Sequence, residues 1–292
     1  MRSEAEIKKL IFDMAFADER IRAILLNGSR ADKLMKPDPY QDFDVVFIVD
    51  DLKSFISNHQ WTDIFGEKII QQLPQEMSFG NEKESPAFSY LMLFKDSNRI
   101  DLTLVPKEEL PNNFKPESLT ILWLDKDNLF TQLPPPNNID HFIKKPAEKE
   151  FADTCNEFWW VSTYVAKGLV RNQMTYAKEM IETVVRPMFM KVIEWKIGTE
   201  NNFEVSFGKA GKFMQQYLPA SDYEKILSTY ADHQVDNNWQ SLFVMTVLFS
   251  KFANEVSEKL HFLYNSAEEQ NTISYLHQLH DDGIKNENAK HL

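Results

Sequence analysis

The chain has 292 residues, of which 43% are hydrophobic and 13% aromatic, and its formal net charge is −12 at pH 7. This apolar content excludes a disordered protein, and the length favours two domains over one. The negative charge disfavours extended nucleic-acid binding, because phosphate backbones would be repelled, and it favours cationic partners.

The single cysteine, Cys155, excludes an internal disulfide and favours a reducing compartment. The first ten residues mix both signs of charge, unlike a signal peptide, and no apolar run reaches membrane-spanning length. We therefore expect a cytoplasmic protein without a membrane partner.

The first half of the chain alternates helical and strand patterns. Apolar residues recur at helical spacing over 3–17, which opens with Ser3 and Glu6 in a capping-box pattern, and again over 51–73. Short runs rich in branched and aromatic residues predict strands over 21–26, 42–49, 87–94, 99–105 and 120–124. Together they predict a mixed sheet flanked by helices, with a short helix over 30–35 and a mobile loop over 75–86.

The tract LPPPNN at 133–138 cannot continue a helix or a central strand, because proline lacks the backbone donor and fixes φ. We place the linker there, so that the domains span 1–135 and 136–292. From about residue 146 the apolar spacing is helical almost throughout, and after about 265 the aromatic residues become sparse. The sequence thus predicts an α+β fold whose second domain is all-helical and ends in a flexible tail.

Three aspartates in the first half suggest chemistry. Asp42 and Asp44 are two residues apart on one predicted strand, so their side chains share a face, and Asp101 lies within another strand. Three converging carboxylates repel one another unless a cation is present, and Mg²⁺ favours a few carboxylates together with phosphate oxygens. Two such ions would activate an attacking hydroxyl and neutralise a triphosphate.

A glycine turn between the first two strands complements the acids. Gly28 permits close approach of a phosphate, Ser29 and the following amides can donate to it, and Arg30 adds positive charge. A Gly-Ser pair alone is usually a turn, and an Asp-x-Asp alone is usually solvated surface. Their combination with a later strand aspartate is the signature of polymerase-β-type nucleotidyltransferases.

Longer stretches resemble one family within that superfamily. NGSRA, QDFDVVFIV, RIDLTLVP, CNEFWW, YVAKGL and EWKIG are similar to the aminoglycoside 6-adenylyltransferases, which modify streptomycin. The resemblance runs from the N-terminus to about Tyr264. It implies a nucleotidyltransferase domain over 1–135, a helical acceptor-binding domain over 136–292, ATP as co-substrate, Mg²⁺, and transfer of AMP to the streptomycin 6-hydroxyl.

The resemblance also implies roles for the residues already singled out. It makes Gly28, Ser29 and Arg30 the nucleotide-binding residues, and it makes Asp42, Asp44 and Asp101 the catalytic, metal-binding triad. Asp101 is either the third metal ligand or the general base, and the sequence does not separate the two roles.

The acceptor carries guanidinium groups, which carboxylates and aromatic faces bind. Glu157 and Trp159 in the helical domain offer both, although aromatic residues at helical spacing are more often core. Glu182, Glu194 and Asp153 are further acidic candidates. Two other functions stay open: transfer to a protein or other non-drug acceptor, and a non-catalytic nucleotide-binding module, which the presence of all three acids disfavours.

Overall fold

A computed structural model describes residues 1–32, 35–79, 86–110, 114–130 and 133–290, without the side chains of 284–290. The chain divides into two compact units, Met1–Asp140 and His141–Leu292. The predicted short helix over 30–35 and loop over 75–86 lie partly outside the described residues. None of the described helices is long and apolar enough to cross a membrane.

The first unit is built on one six-stranded sheet. Its strands are β1 Ile21–Asn27, β2 Phe43–Val49, β3 Lys68–Gln72, β4 Phe88–Phe94, β5 Arg99–Pro106 and β6 Thr120–Asp125. Their order across the sheet is β3-β4-β5-β2-β1-β6. β2 and β5 are parallel while the other neighbours are antiparallel, which confirms the predicted mixed sheet.

Helix α1, Glu4–Ala17, covers one face of this sheet. The predicted capping box is present, since the Ser3 hydroxyl accepts from the backbone N–H of Glu6 and the Glu6 carboxylate accepts from that of Ser3. Side chains alternate along β2, so Phe43, Val45 and Phe47 join the core beneath α1, whereas Val46 and Ile48 join a smaller cluster on the opposite face. Asp44 belongs to this second face.

The predicted single helix over 51–73 is wrong. The structure has α2, Leu52–Ile56, a 3₁₀ helix over His59–Phe65, and then β3. Gly66 adopts a φ of 121°, which ends the helical conformation. Ile69, which would lie on the apolar face of that helix, is 59% exposed on the edge strand β3. The apolar spacing over this segment therefore does not mark a buried helix face.

The second unit is helical, as predicted. Its helices are α3 Glu148–Val170, α4 Met174–Met180, α5 Arg186–Glu200, α6 Ala220–Ser228, α7 Val235–Leu260 and α8 Ser266–Lys290. Its core includes Phe158 stacked on Phe249 with ring centroids 3.7 Å apart. The segment after residue 265, for which we expected a flexible tail, forms α8, which packs against α3 and buries Leu276.

Candidate active site

A transverse row of polar residues crosses the sheet at one end of β2. Asp44 pairs with Asp101 in the parallel register of β2 and β5, and with Asn27 in the antiparallel register of β1 and β2. The Thr120 hydroxyl of β6 donates to the Asn27 side-chain oxygen at 2.9 Å. Asp42 precedes β2 by one residue and shares the face of Asp44 because side chains alternate. The structure thus brings the three aspartates together.

Arg99 is the cation that these carboxylates meet. Its guanidinium forms two hydrogen bonds to the Asp101 carboxylate, of 2.8 and 2.7 Å, and lies 3.6 Å from the Asp42 carboxylate. Sequence reasoning missed Arg99, although its position two residues before Asp101 on a strand places both side chains on one face. One guanidinium therefore faces three carboxylates, and negative charge remains in excess.

Asp44 is the aspartate whose ionised form is most disfavoured by this excess charge. Burial and the neighbouring charges of Asp101 and Asp42 together raise the pKa of the Asp44 carboxyl to about 6, and the positive charge of Arg99 offsets this only in part. The pKa of Asp42 is also raised, chiefly by burial, although its side chain is 37% exposed. The site therefore favours an additional cation.

Gly28 lies directly against the Asp44 side chain. It begins a 3₁₀ turn, Gly28–Arg30, directly after β1, and its φ is +70°, which favours glycine. A Cβ at this position would lie 2.1 Å from a carboxylate oxygen of Asp44. Glycine is thus required both by the backbone and by the packing of a carboxylate, while Ser29 lies partly exposed in the turn.

Arg30, a predicted phosphate ligand, already has partners for its guanidinium in the structure. It donates to the backbone carbonyls of Asp42 and Gln41 at 3.0 and 2.8 Å and pairs with Glu4 at 3.0 Å. Its guanidinium stacks 3.8 Å from the Phe43 ring centroid, and the side chain is only 9% exposed. Arg30 therefore ties the glycine turn to the start of β2, where Asp42 and Asp44 lie.

The donor set suits Mg²⁺ in its chemistry. Carboxylate oxygens are the protein ligands that Mg²⁺ prefers, and it takes its remaining ligands from phosphate and water. Within the described ranges, no three His, Cys, Asp or Glu side chains are already grouped to hold a metal ion. At the aspartate triad, the Asp101 carboxylate is paired with the Arg99 guanidinium.

Comparison with known proteins places the chain in a family. The family model described as streptomycin adenylyltransferase matches residues 1–279. The chain belongs to that family. It is accordingly a nucleotidyltransferase, and the resemblance noted in its sequence is confirmed.

Named relatives agree across nearly the whole chain. The aminoglycoside 6-adenylyltransferase of Bacillus subtilis (strain 168) is 40% identical over 92% of this chain and 95% of its own. The enzyme of the same name from Campylobacter jejuni is 40% identical over 99% and 100%, and that from Staphylococcus aureus is 36% identical over 88% and 92%. A crystal structure of a Bacillus subtilis aminoglycoside 6-adenyltransferase is 36% identical, covers 96% of this chain and 99% of that one, and has a TM-score of 0.47.

The two predicted acceptor residues of this family member differ in accessibility. Glu157 is exposed on α3 and lines a cavity of about 580 Å³. Trp159 is 1% exposed, packs edge-on against Phe249, and donates its indole N–H to the Tyr264 hydroxyl at 3.1 Å. Trp159 is therefore a core residue and presents no surface to an acceptor, because it points into the helical bundle.

Proposed function

We propose that this protein transfers AMP from ATP to a hydroxyl group of an aminoglycoside, the 6-hydroxyl of streptomycin in particular. The acceptor oxygen attacks the α-phosphorus, the bond from that phosphorus to the bridging oxygen breaks, and pyrophosphate leaves. The observation that supports this most directly is the register of Asp44 against Asp101, with Asp42 on the same face. The names of the relatives point to the same acceptor class.

Asp42 and Asp44 are the proposed ligands of Mg²⁺, because their carboxylates share one face at this end of β2, where negative charge is in excess. When bound, Mg²⁺ supplies charge neutralisation on the triphosphate and lowers the pKa of a coordinated hydroxyl. Asp101 completes the ligand set or takes the proton of the acceptor hydroxyl. Gly28 and Ser29 offer backbone and hydroxyl donors to the phosphates, and Arg30 acts as a positioning residue for Asp42.

The two units have separate proposed tasks. The unit Met1–Asp140 holds ATP, since it contains every residue of the aspartate site, and the helical unit His141–Leu292 supplies contacts to the acceptor. A formal net charge of −12 suits a cationic acceptor better than a nucleic acid. We place the reaction in the cytoplasm, where ATP is available and the buried thiol of Cys155 stays reduced.

The test is direct transfer of label. Purified protein is incubated with α-labelled ATP, Mg²⁺ and streptomycin, and AMP-streptomycin and pyrophosphate are measured. Asp42→Asn should reduce transfer by about 1,000-fold or more, because charge stabilisation of several kcal/mol is removed. The matched control is Asp50→Asn, which removes a partly exposed carboxylate just beyond the other end of β2 and should transfer normally.

The acceptor is tested in the same assay. Label that appears on protein or RNA, with none on streptomycin, would reject the aminoglycoside. Full activity of Asp42→Asn would reject the aspartate site itself.

A further inference from the structure

The helical unit contains a cavity of about 390 Å³, within the range of small-ligand sites. Its walls come from α5, from the turn that precedes α5, from the loop around Gly208, and from Tyr230, which follows α6. The preceding turn, Ile181–Val185, is a π-helix, because Pro187 has no N–H to donate to the carbonyl of Thr183. Glu182 in this turn and Arg186 at the start of α5 both line the cavity.

Most charges on this wall are already paired. Arg186 forms a two-point ion pair with Glu182, at 2.6 and 3.0 Å, and also donates to the hydroxyl and carbonyl oxygens of Thr229. Its guanidinium covers one face of the Tyr230 ring at 3.8 Å, yet Tyr230 remains 54% exposed. Lys191 pairs with Glu150 at 3.2 Å. The Arg186–Glu182 and Lys191–Glu150 ion pairs leave one carboxylate of this cavity without a paired cation.

That carboxylate belongs to Glu194. Among the residues that the structure describes, none donates a hydrogen bond to it and none lies within ion-pair distance. Burial raises the pKa of Glu194, and the positive charge of Lys191 offsets this only in part. Glu194 is thus a half-buried acid beside the aromatic residues Phe207 and Tyr230, in a cavity open to a ligand.

The cavity around Glu157 adjoins this one, since Lys191 lines both. There Lys149 pairs with Asp153 at 2.6 Å, and Lys191 with Glu150, so that Glu157 is the remaining acid on that wall. Two neighbouring cavities each present one carboxylate that no described cation neutralises.

We propose that these adjoining cavities form one binding site for a dication, with Glu194 and Glu157 each receiving a guanidinium or ammonium group. Glu194 contributes more, because its side chain is half-buried and the Tyr230 and Phe207 rings line the same cavity. If AMP is transferred to an aminoglycoside as proposed above, the acceptor itself is this dication.

The experiment measures streptomycin binding by isothermal titration calorimetry on the full chain, without ATP. Glu194→Gln should weaken binding by about tenfold or more, since a charge-assisted hydrogen bond from a partly buried site is lost. Glu157→Gln should weaken it by about threefold, because Glu157 is exposed. Glu204→Gln, at an exposed acid of the same unit, is the matched control and should bind within about twofold of wild type.

A second variant separates charge from folding. Glu194→Asp keeps the carboxylate and should retain most of the affinity that Glu194→Gln loses. Equal binding by wild type and Glu194→Gln overturns the proposal. If Glu194→Gln also binds pyrophosphate more tightly than wild type, the cavity is assigned to an anion instead.

Failure of the proposed function gives a different result. Asp42→Asn should bind streptomycin like wild type while transferring no AMP. If wild type neither binds nor modifies streptomycin, the proposed acceptor is rejected, and millimolar methylguanidinium then tests the cavity. Binding of methylguanidinium that Glu194→Gln abolishes supports the cation site, and its absence overturns it.

Discussion

Asp44→Asn should stabilise the protein in EDTA at pH 7 while abolishing AMP transfer. The side chain keeps its shape, so its packing against Gly28 is preserved, but its charge is removed. Burial together with Asp101 and Asp42 raises the pKa of Asp44 from 3.8 to about 6, so the ionised form is disfavoured in the folded state.

The pH dependence follows from this direction. Because the folded pKa is the higher one, the protonated carboxyl contributes stability that is complete below pH 3.8 and is lost as the pH rises through about 6. A shift of about two units corresponds to roughly 3 kcal/mol, and solvent screening of a partly exposed group reduces this to about 1.5 kcal/mol. The asparagine of the variant does not ionise, so the variant does not lose this stability as the pH rises.

Urea denaturation of wild type and Asp44→Asn at pH 4 and pH 7 measures this difference. The free energy of unfolding of the variant, relative to wild type, should rise by about 1 kcal/mol between the two pH values, somewhat less than the full effect because pH 4 lies just above 3.8. The control Asp50→Asn should not gain stability, because Arg22 lies 3.6 Å from the Asp50 carboxylate and stabilises its ionised form. A variant whose relative stability is the same at both pH values would refute the electrostatic reasoning.

Three further substitutions test individual contacts. Gly28→Ala should lower the free energy of unfolding by about 1 to 3 kcal/mol and abolish transfer, because its Cβ meets Asp44 at a positive φ; retained activity would show that the turn can shift. Arg30→Ala should lower thermal stability and kcat with little change in KM for ATP, whereas a raised KM alone would make Arg30 a phosphate ligand. Trp159→Phe should lower the melting temperature, through the lost bond to Tyr264, and leave KM for streptomycin unchanged; a raised KM would restore its acceptor role.

Local patterns in the sequence predicted most of the architecture. The alternation of side chains along a strand is a local property, so the shared face of Asp42 and Asp44 follows from their spacing. The capping box of α1, the strands over 87–94 and 99–105, and the helical second half were also predicted from local patterns and are confirmed. Prediction failed at β3, because its isoleucines lie on an exposed edge.

The sequence by itself therefore determined most of the elements, the family, and the shared face of Asp42 and Asp44. Only the tertiary structure decided that β5 lies parallel beside β2, which brings Asp101 next to Asp44 and Arg99 next to Asp42. It likewise turned Arg30 inward and buried Trp159. The physical reason is that strand order and burial arise from contacts between residues distant in the chain, which spacing along the sequence does not contain.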